Sequence, residues 1–571
     1  MPPNVIGYAE SAEKRGAERD VKEAGPGVSL STNNASKPTN EPNPAAVGSG
    51  VLRSSAARLL GHLPLLVGFV CLSVAYFIWG WSNEVSDFQG DSSVYMLAAR
   101  YFSPFWPSSP VFAEFTKNMA YPPLFPLLIG LLGGSLLAGH LLVIAALLAA
   151  ILCLYAWLRL EDLTAGTSAC ACLVFALMPG TYLQALNIWT ENPYLFLSLL
   201  AIVLENRAAA AGSNRPALWR GASVAIAAAG LVRAAALPLM LAYTIRLAMI
   251  RPRQWHYMIA AIWVPFALWA TWGKFHRPPG LGYAAQWSSS YARDPFGTMF
   301  HQIGTETALV LHSWAQAWLA DGSGGNLHYF VIAAGVTCGV GCLWRLVKLR
   351  FDALYVALYT ILLLVWPFPA EARRLSYVLI PPLLAQGLLL LQTLGLRNRG
   401  ESGRTFFPAL LLGALAVAIL PSLILTLHRF NEPLPPELGA ARHIEDWYGD
   451  DLQKAINSTH SFTSILADLH HSSELVPDNE CIFAIKPSVI SLYSDRLSYT
   501  PPPISASDDA FESGIKKCKY AYLLTYISPS FAEPYYPLNR LNGRISPLSV
   551  AEDGEGAHKK TFSALVEIHT P

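Results

Sequence analysis

The run LPLLVGFVCLSVAYFIWGW (63–81) is followed almost at once by DFQGDSSVYMLAARYF (87–102). The first stretch is long enough to cross a hydrocarbon core of about 30 Å. The second sets two carboxylates, Asp87 and Asp91, where such a span emerges into water. An acid at the mouth of a span is costly unless it faces a cavity or solvent, so it marks a functional-site candidate. If residues 91–102 are helical, Asp91, Tyr95 and Ala98/Ala99 share one face. Asp91 is then also a helix-start residue, and the plain alternative to a chemical role is an N-cap.

Apolar runs recur along the whole chain, which has 571 residues, 53% of them hydrophobic and only 14% charged. That composition is that of a polytopic α-helical membrane protein. A formal net charge of +1, without a basic block, gives no footing for nucleic-acid binding. Residues 1–50 are rich in Pro, Asn, Ser, Glu and Ala, so 1–55 reads as a disordered cytoplasmic tail. No apolar core with a cleavage site stands near Met1, and the first span therefore reads as an uncleaved signal anchor.

Further windows fall near 138–158, 167–186, 191–205, 255–273, 327–344, 354–368, 375–396 and 405–427. The segment 219–247 is apolar but interrupted by Arg233 and Pro238. Basic clusters stand at Arg53/Arg58, Arg207/Arg215/Arg220, Arg246/Arg251/Arg253, Arg345/Lys348/Arg350 and Arg397/Arg399/Arg404. The positive-inside rule keeps all of them cytoplasmic only if 121–137 (YPPLFPLLIGLLGGSLL) is re-entrant or interfacial and 219–247 goes up and comes back. Irregular backbone at membrane depth is tolerated where it lines a cavity enclosed by protein. The segment 304–320 reads as an outer interfacial helix. The expectation is about 11 membrane helices with a cytoplasmic N-terminus.

On the outer face this topology leaves the loop 82–137, the turn at Thr190/Glu191, the loop 274–326, the strip Phe368–Arg374 and the tail 430–571. CIFAI (481–485), YAYLLTYI (520–527) and SALVEIH (563–569) read as strands and 439–470 as helix, giving a small α/β domain. Cys481 and Cys518 stand there apart from the other six cysteines, and pair if the compartment is oxidising.

Four charges break the apolar pattern on the outer side. Glu191 opens a span, where the helix dipole alone would favour it. Arg233, inside the apolar hairpin, needs an anionic partner or a water-filled cavity. Arg373 and Arg374 depart from the positive-inside pattern; they pair with Glu371 or clamp a phosphate, for which the planar guanidinium suits the geometry. Carboxylates on one wall and arginines on another suit a lipid-linked phosphate, with a carboxylate activating an acceptor hydroxyl as general base.

In order along the chain, GDSSVYMLAARYF, YPPLFPLLIGLLGG, TENPYLF, GLVRAAALPLML, ARRLSYVLIPPLL and CIFAIKPSVISLYSDR together resemble the GT-C superfamily of membrane glycosyltransferases, near its protein-mannosyltransferase and aminoarabinose-transferase branch. The resemblance runs from about residue 60 to the end, and each motif is short. It implies a GT-C transmembrane domain at 56–429, with a catalytic first outer loop at 82–137, and an extracytoplasmic α/β domain at 430–571. It further implies an inverting transfer from a polyprenyl-phosphate-linked sugar to a lipid, glycan or protein acceptor, in what reads as a bacterial inner membrane. The family's first-loop aspartate maps onto Asp91, with Asp87 as a second candidate. Its phosphate-binding basic residues map onto Arg233, Arg373 and Arg374, and Tyr95, Glu191 and Tyr377 join the substrate-binding set. Tyr121 stands where the family usually has His, and Arg-Leu-Ser-Tyr replaces Arg-Tyr.

Two other readings are a transporter or flippase of lipid-linked sugars and a non-catalytic component of a polysaccharide assembly system. Transporters are often built from paired broken helices, and the hairpin 219–247 has no counterpart in the sequence. No His/Cys cluster has zinc-ligand spacing. A divalent cation on Asp87 and Asp91 would need further oxygen ligands.

Overall fold

The computed structural model describes residues 65–85, 91–211, 215–277, 295–319, 326–366, 372–430, 452–502, 506–524, 538–541, 543–553 and 560–569. The tail 1–55, Asp87 and Glu371 lie outside these residues, and of Arg373 only the backbone is described. Residues Leu65–Pro571 form one compact unit, so the helical part and the C-terminal sheet belong together.

The helices begin with α1 (Leu65–Trp79), α2 (Ser92–Phe102), α3 (Pro110–Asn118), α4 (Leu124–Leu131) and α5 (Leu136–Leu160). With its 25 residues α5 is about 37 Å long, enough to span with some tilt. The Ser135 hydroxyl caps it by accepting from the Ala138 N–H. In contrast, α4 has eight residues, about 12 Å, and cannot cross. It lies against α2, where Gly130 lets the backbones touch: a Cβ there would meet the Ala99 carbonyl at 2.6 Å.

Next come α6 (Ala165–Leu177) and α7 (Pro179–Leu186), which meet at a bend of 60°. Pro179 at the start of α7 accounts for the break, since it has no N–H to continue the helix. Then follow α8 (Glu191–Ala211), α9 (Pro216–Val232) and α10 (Leu237–Ile250). Between α9 and α10 Arg233 is extended and Ala234–Ala236 form a single 3₁₀ turn, so 219–247 is two helices with the arginine at the joint.

The series continues with α11 (Trp255–His276), α12 (Pro295–Trp318), α13 (Asn326–Val347), α14 (Phe351–Leu364) and α15 (Ala372–Ser376). Residues 304–320 thus fall mostly in the second half of a longer helix, α12. The last helical stretch, α16 (Ile380–Phe430), is two helices joined at Gly400, whose φ of 61° favours a residue without Cβ.

Among the described residues six helices are long and apolar enough to cross a membrane, and a seventh crossing results if α6 and α7 count as one. Four shorter apolar helices add to these: Leu65–Trp79, Pro216–Val232, Ala234–Ile250 and Phe351–Leu364. The chain is an integral membrane protein.

At the end of the bundle away from Asp91, Arg345 bonds both oxygens of Asp352, at 2.7 and 2.8 Å, and Glu161 at 2.7 Å. Arg350 reaches the same Glu161 and the side-chain Oδ1 of Asn206. Arg345 and Arg350, one of the basic clusters of the sequence, are therefore structural clasps between helices.

The C-terminal part comprises α17 (Leu452–Leu475), β1 (Ile482–Ala484), α18 (Pro487–Ser494), β2 (Ser498–Tyr499), α19 (Asp508–Ile515), β3 (Tyr520–Leu524), α20 (Leu538–Leu541), β4 (Ile545–Asp553) and β5 (Lys560–Ile568). The sheet order is β2-β1-β3-β5-β4, with β1 parallel to β2 and β3, and β5 antiparallel to both its neighbours. Successive strand residues face opposite sides. Tyr522 and Leu565 accordingly join the core shared with Ile465 and Leu469, while Phe483, Ala521 and Val566 build a second cluster with Phe511 and Ile515.

Cys481 and Cys518, just ahead of the paired strands β1 and β3, form a disulfide. The strand expectations hit β1, β3 and β5. They missed β2, which has two residues, and β4, where Pro547 sits at a register shift and Leu548 and Val550 are exposed.

The sheet-bearing part docks on the segment leading into α2. The Glu84 carboxylate accepts from the Tyr493 hydroxyl at 2.7 Å and meets His470 Nε2 at 2.8 Å. The Val85 N–H donates to the Tyr493 oxygen at 3.1 Å. The hydroxyls of Ser93 and Ser488 meet at 2.7 Å, and Arg100 Nη1 donates to the Leu492 carbonyl at 3.2 Å.

Candidate active site

Asp91 is the N-cap residue of α2, yet its side chain makes no capping hydrogen bond. The carboxylate is used elsewhere. Oδ1 accepts from the Tyr121 hydroxyl at 2.6 Å, and Oδ2 pairs with Arg374 Nη1 at 2.6 Å. Tyr121 is held by the short turn into α4, and its ring lies 5.0 Å from that of Tyr95. Tyr95 sits one turn beyond Asp91 on the same helix face, as its spacing requires.

Arg374, on the five-residue helix α15, also bonds Oε1 of Glu191 through Nε. Its guanidinium lies over the Trp189 ring, 4.6 Å from the centroid. Arg233 reaches the same Glu191 oxygen at 2.5 Å and donates to the Thr190 hydroxyl at 3.2 Å. The guanidinium in the apolar hairpin thus has the anionic partner that burial demands. Two carboxylates and two guanidiniums, from α8, the approach to α2, the α9–α10 joint and α15, form one chain: Asp91–Arg374–Glu191–Arg233.

An open pocket of about 390 Å³, part of it continuous with solvent, lies over this chain. Its lining includes Asp91, Tyr95, Tyr121, Arg233 and Arg374, with Pro122, Thr190, Ala234, Ala235, Trp366 and Leu375. Two candidates stand apart from it. Glu191 is fully buried beneath the two arginines and holds both, so it positions them instead of lining the pocket. Tyr377 is buried too; its hydroxyl donates to Asn192 at 2.9 Å and its ring stacks on Phe175. Pro122, Thr190 and Trp366 were not among the candidate site residues, although Pro122 belongs to the Pro-Pro segment, Thr190 to the outer turn with Glu191, and Trp366 stands just before the strip Phe368–Arg374.

Burial pushes the Asp91 carboxyl up, but the Arg374 guanidinium and the hydrogen bonds from Tyr121 and Arg374 outweigh it, with the charge of Lys486 adding to them. The net result lies below the ordinary aspartate value. As it stands, Asp91 is an ionised carboxylate of weak basicity, engaged by a cation.

The divalent-cation candidate pairs Asp91 with Asp87, which lies outside the described residues. Among the described residues no group of three or more His, Cys, Asp or Glu side chains is placed to hold a metal ion. Asp91 and Glu191 already share guanidinium partners.

No protein-family description matches the chain, and no curated protein matches it. Among solved structures it is similar to ArnT from Cupriavidus metallidurans in the apo state, with 11% identity, a TM-score of 0.47, and coverage of 89% of this chain and 98% of that one. The same protein bound to undecaprenyl phosphate gives 12% identity, a TM-score of 0.43, and coverage of 88% and 97%. The apo oligosaccharyltransferase of Archaeoglobus fulgidus gives 14% identity, a TM-score of 0.46, and coverage of 81% and 69%.

Proposed function

We propose that the chain is an inverting glycosyltransferase of GT-C type, moving a sugar from a polyprenyl-phosphate-linked donor to an acceptor hydroxyl on the extracytoplasmic face. The observation that carries this reading is the convergence of Asp91, Arg374 and Arg233 on one open pocket, from segments far apart in sequence. The same proposal retains a cytoplasmic N-terminus, a helical domain at 56–429 and an extracytoplasmic domain at 430–571.

In the reaction, the acceptor oxygen attacks the anomeric carbon as Asp91 takes its proton. The bond from that carbon to the donor phosphate oxygen breaks, and the electron pair leaves with the polyprenyl phosphate. The phosphate begins as a diester with one negative charge and leaves as a monoester with a second charge developing on it. Arginines aimed at that oxygen stabilise the departing group more than the bound donor, which is what lowers a barrier.

Arg374 links the two halves of this chemistry. While it pairs with Asp91, the base is weak; as phosphate draws the guanidinium away, Asp91 loses a stabilising cation and gains basicity. Glu191 keeps Arg374 and Arg233 in place throughout, and Tyr121 orients the other Asp91 oxygen.

The test is transfer by Asp91→Asn in membranes supplied with a polyprenyl-phosphate sugar. A folded variant should lose transfer at least a hundredfold, the usual scale for removing a general base. Undiminished transfer would remove Asp91 from the mechanism. Movement of lipid-linked sugar across proteoliposomes without glycosidic turnover would replace the enzyme by a transporter.

A further inference from the structure

Helices α2 and α18 lie together with their first turns side by side. Ser93 meets Ser488 at 2.7 Å, and farther along both helices Arg100 reaches the Leu492 carbonyl. Both contacts advance together, so the helices run in the same direction. Side chains on a helix lean toward its N-terminus, which lets Arg100 reach a carbonyl that lies nearer the start of its own helix. Asp91 stands two residues before Ser93, and Lys486 two residues before Ser488. The pairing therefore brings Lys486, half-buried ahead of α18, to the neighbourhood of the Asp91 carboxylate. Its charge is felt there, acting with Arg374 to favour the ionised form.

The charge balance of the pocket gives this cation a task. Arg374 and Arg233 are matched by Asp91 and Glu191, so these four groups present no net charge to an arriving phosphate. Arg374 can turn to the phosphate only by weakening its hold on Asp91. A further cation carried by α18 adds a positive charge beside Asp91 to those four groups, so the phosphate meets a net positive site as Arg374 turns toward it.

We infer that Lys486, carried by the sheet-bearing C-terminal part, is a phosphate-binding residue of the transfer site, its ammonium contacting the phosphate of the polyprenyl carrier beside Asp91. This rests on the glycosyl-transfer reading above. It makes the docked C-terminal part a contributor to the donor site, held in register by the Ser93–Ser488 contact.

The experiment measures binding of undecaprenyl phosphate and of undecaprenol, the same lipid without phosphate, to the full-length protein in lipid nanodiscs. Wild type, Lys486→Ala and Lys486→Arg are compared, with thermal midpoints recorded for each. Loss of one charged contact should weaken Lys486→Ala for undecaprenyl phosphate about tenfold, leave undecaprenol unchanged, and be largely rescued in Lys486→Arg. Equal affinity of folded Lys486→Ala and wild type for undecaprenyl phosphate overturns the inference and leaves the transferase reading standing. Equal weakening for both lipids, or a collapse of the thermal midpoint in Lys486→Ala, assigns Lys486 to the fold and also overturns it. A wild type that does not distinguish the two lipids overturns the transferase reading together with it.

Discussion

Glu191→Gln tests the charge chain at its centre. The side chain keeps its shape and an acceptor oxygen but loses its charge, so two guanidiniums that faced two carboxylates now face one. Glu191 is fully buried, and Arg233 and Arg374 have side chains only 10% and 18% exposed, so water cannot compensate well. Removing one partner of a buried ion pair costs about 3–5 kcal/mol, because the orphaned charge stays behind. The cost should fall largely on Arg233, which has no described carboxylate partner other than Glu191, whereas Arg374 keeps Asp91. The assay is the unfolding midpoint of detergent-purified protein for Glu191→Gln, Arg233→Met and the double variant. The double variant should be more stable than Glu191→Gln alone, since it removes the orphan, and the two changes should be coupled by more than about 1 kcal/mol. If Glu191→Gln is within about 0.5 kcal/mol of wild type, or the two changes simply add, the chain is not a buried network and the reasoning fails.

The depressed Asp91 value fixes a pH dependence. Its pairing contributes stability that is fully present above the unfolded aspartate value, near 3.9, and is lost as pH falls through the lower folded value. Unfolding measured between pH 5 and 8 should therefore show no Asp91 transition in wild type. In Arg374→Gln burial is less opposed, and the transition should move upward; an unchanged profile would rule out Arg374 as the main cation. His470, raised by its hydrogen bond to Glu84, has the opposite sign: its contribution is complete below the unfolded histidine value and fades as pH rises through the folded one. Protection of amides around Tyr493, taken relative to their intrinsic exchange rate, should fall as pH rises through the raised His470 value in wild type, and show no such step in His470→Ala. Gly130→Ala places a Cβ 2.6 Å from the Ala99 carbonyl, a backbone atom that cannot turn aside, so it should cost about 1–3 kcal/mol in unfolding and impair transfer by displacing Tyr121.

The charged residues were legible in the sequence because apolar surroundings make each of them an exception. Arg233 in GLVRAAALP demanded a partner, and its partner is an acid flagged on the same ground, Glu191. Pairing itself was not legible. Asp91 and Arg374 are 283 residues apart, and nothing local in either segment points to the other. Glu191 was expected to line a pocket, yet it lies beneath one, since a sequence does not give depth within the bundle. Tyr121 was visible as a departure from the usual histidine, while its service to Asp91 depends on the way α4 turns back onto α2 at Gly130. The strand β4 escaped because an exposed edge has no apolar period to read.

The Cys481–Cys518 bridge also carries information about how the protein is made. Such a bond forms in an oxidising compartment and is rare in a reducing cytosol. The six other cysteines among the described residues are free thiols and belong to the helical part. The oxidation state of this one pair is therefore a permanent record of which side of the membrane the C-terminal sheet reached during biogenesis. With the C-terminal sheet extracytoplasmic, as proposed above, chains arrested or inverted during insertion would carry two additional thiols, countable by alkylation after denaturation, which makes the bridge a topology marker without any added tag.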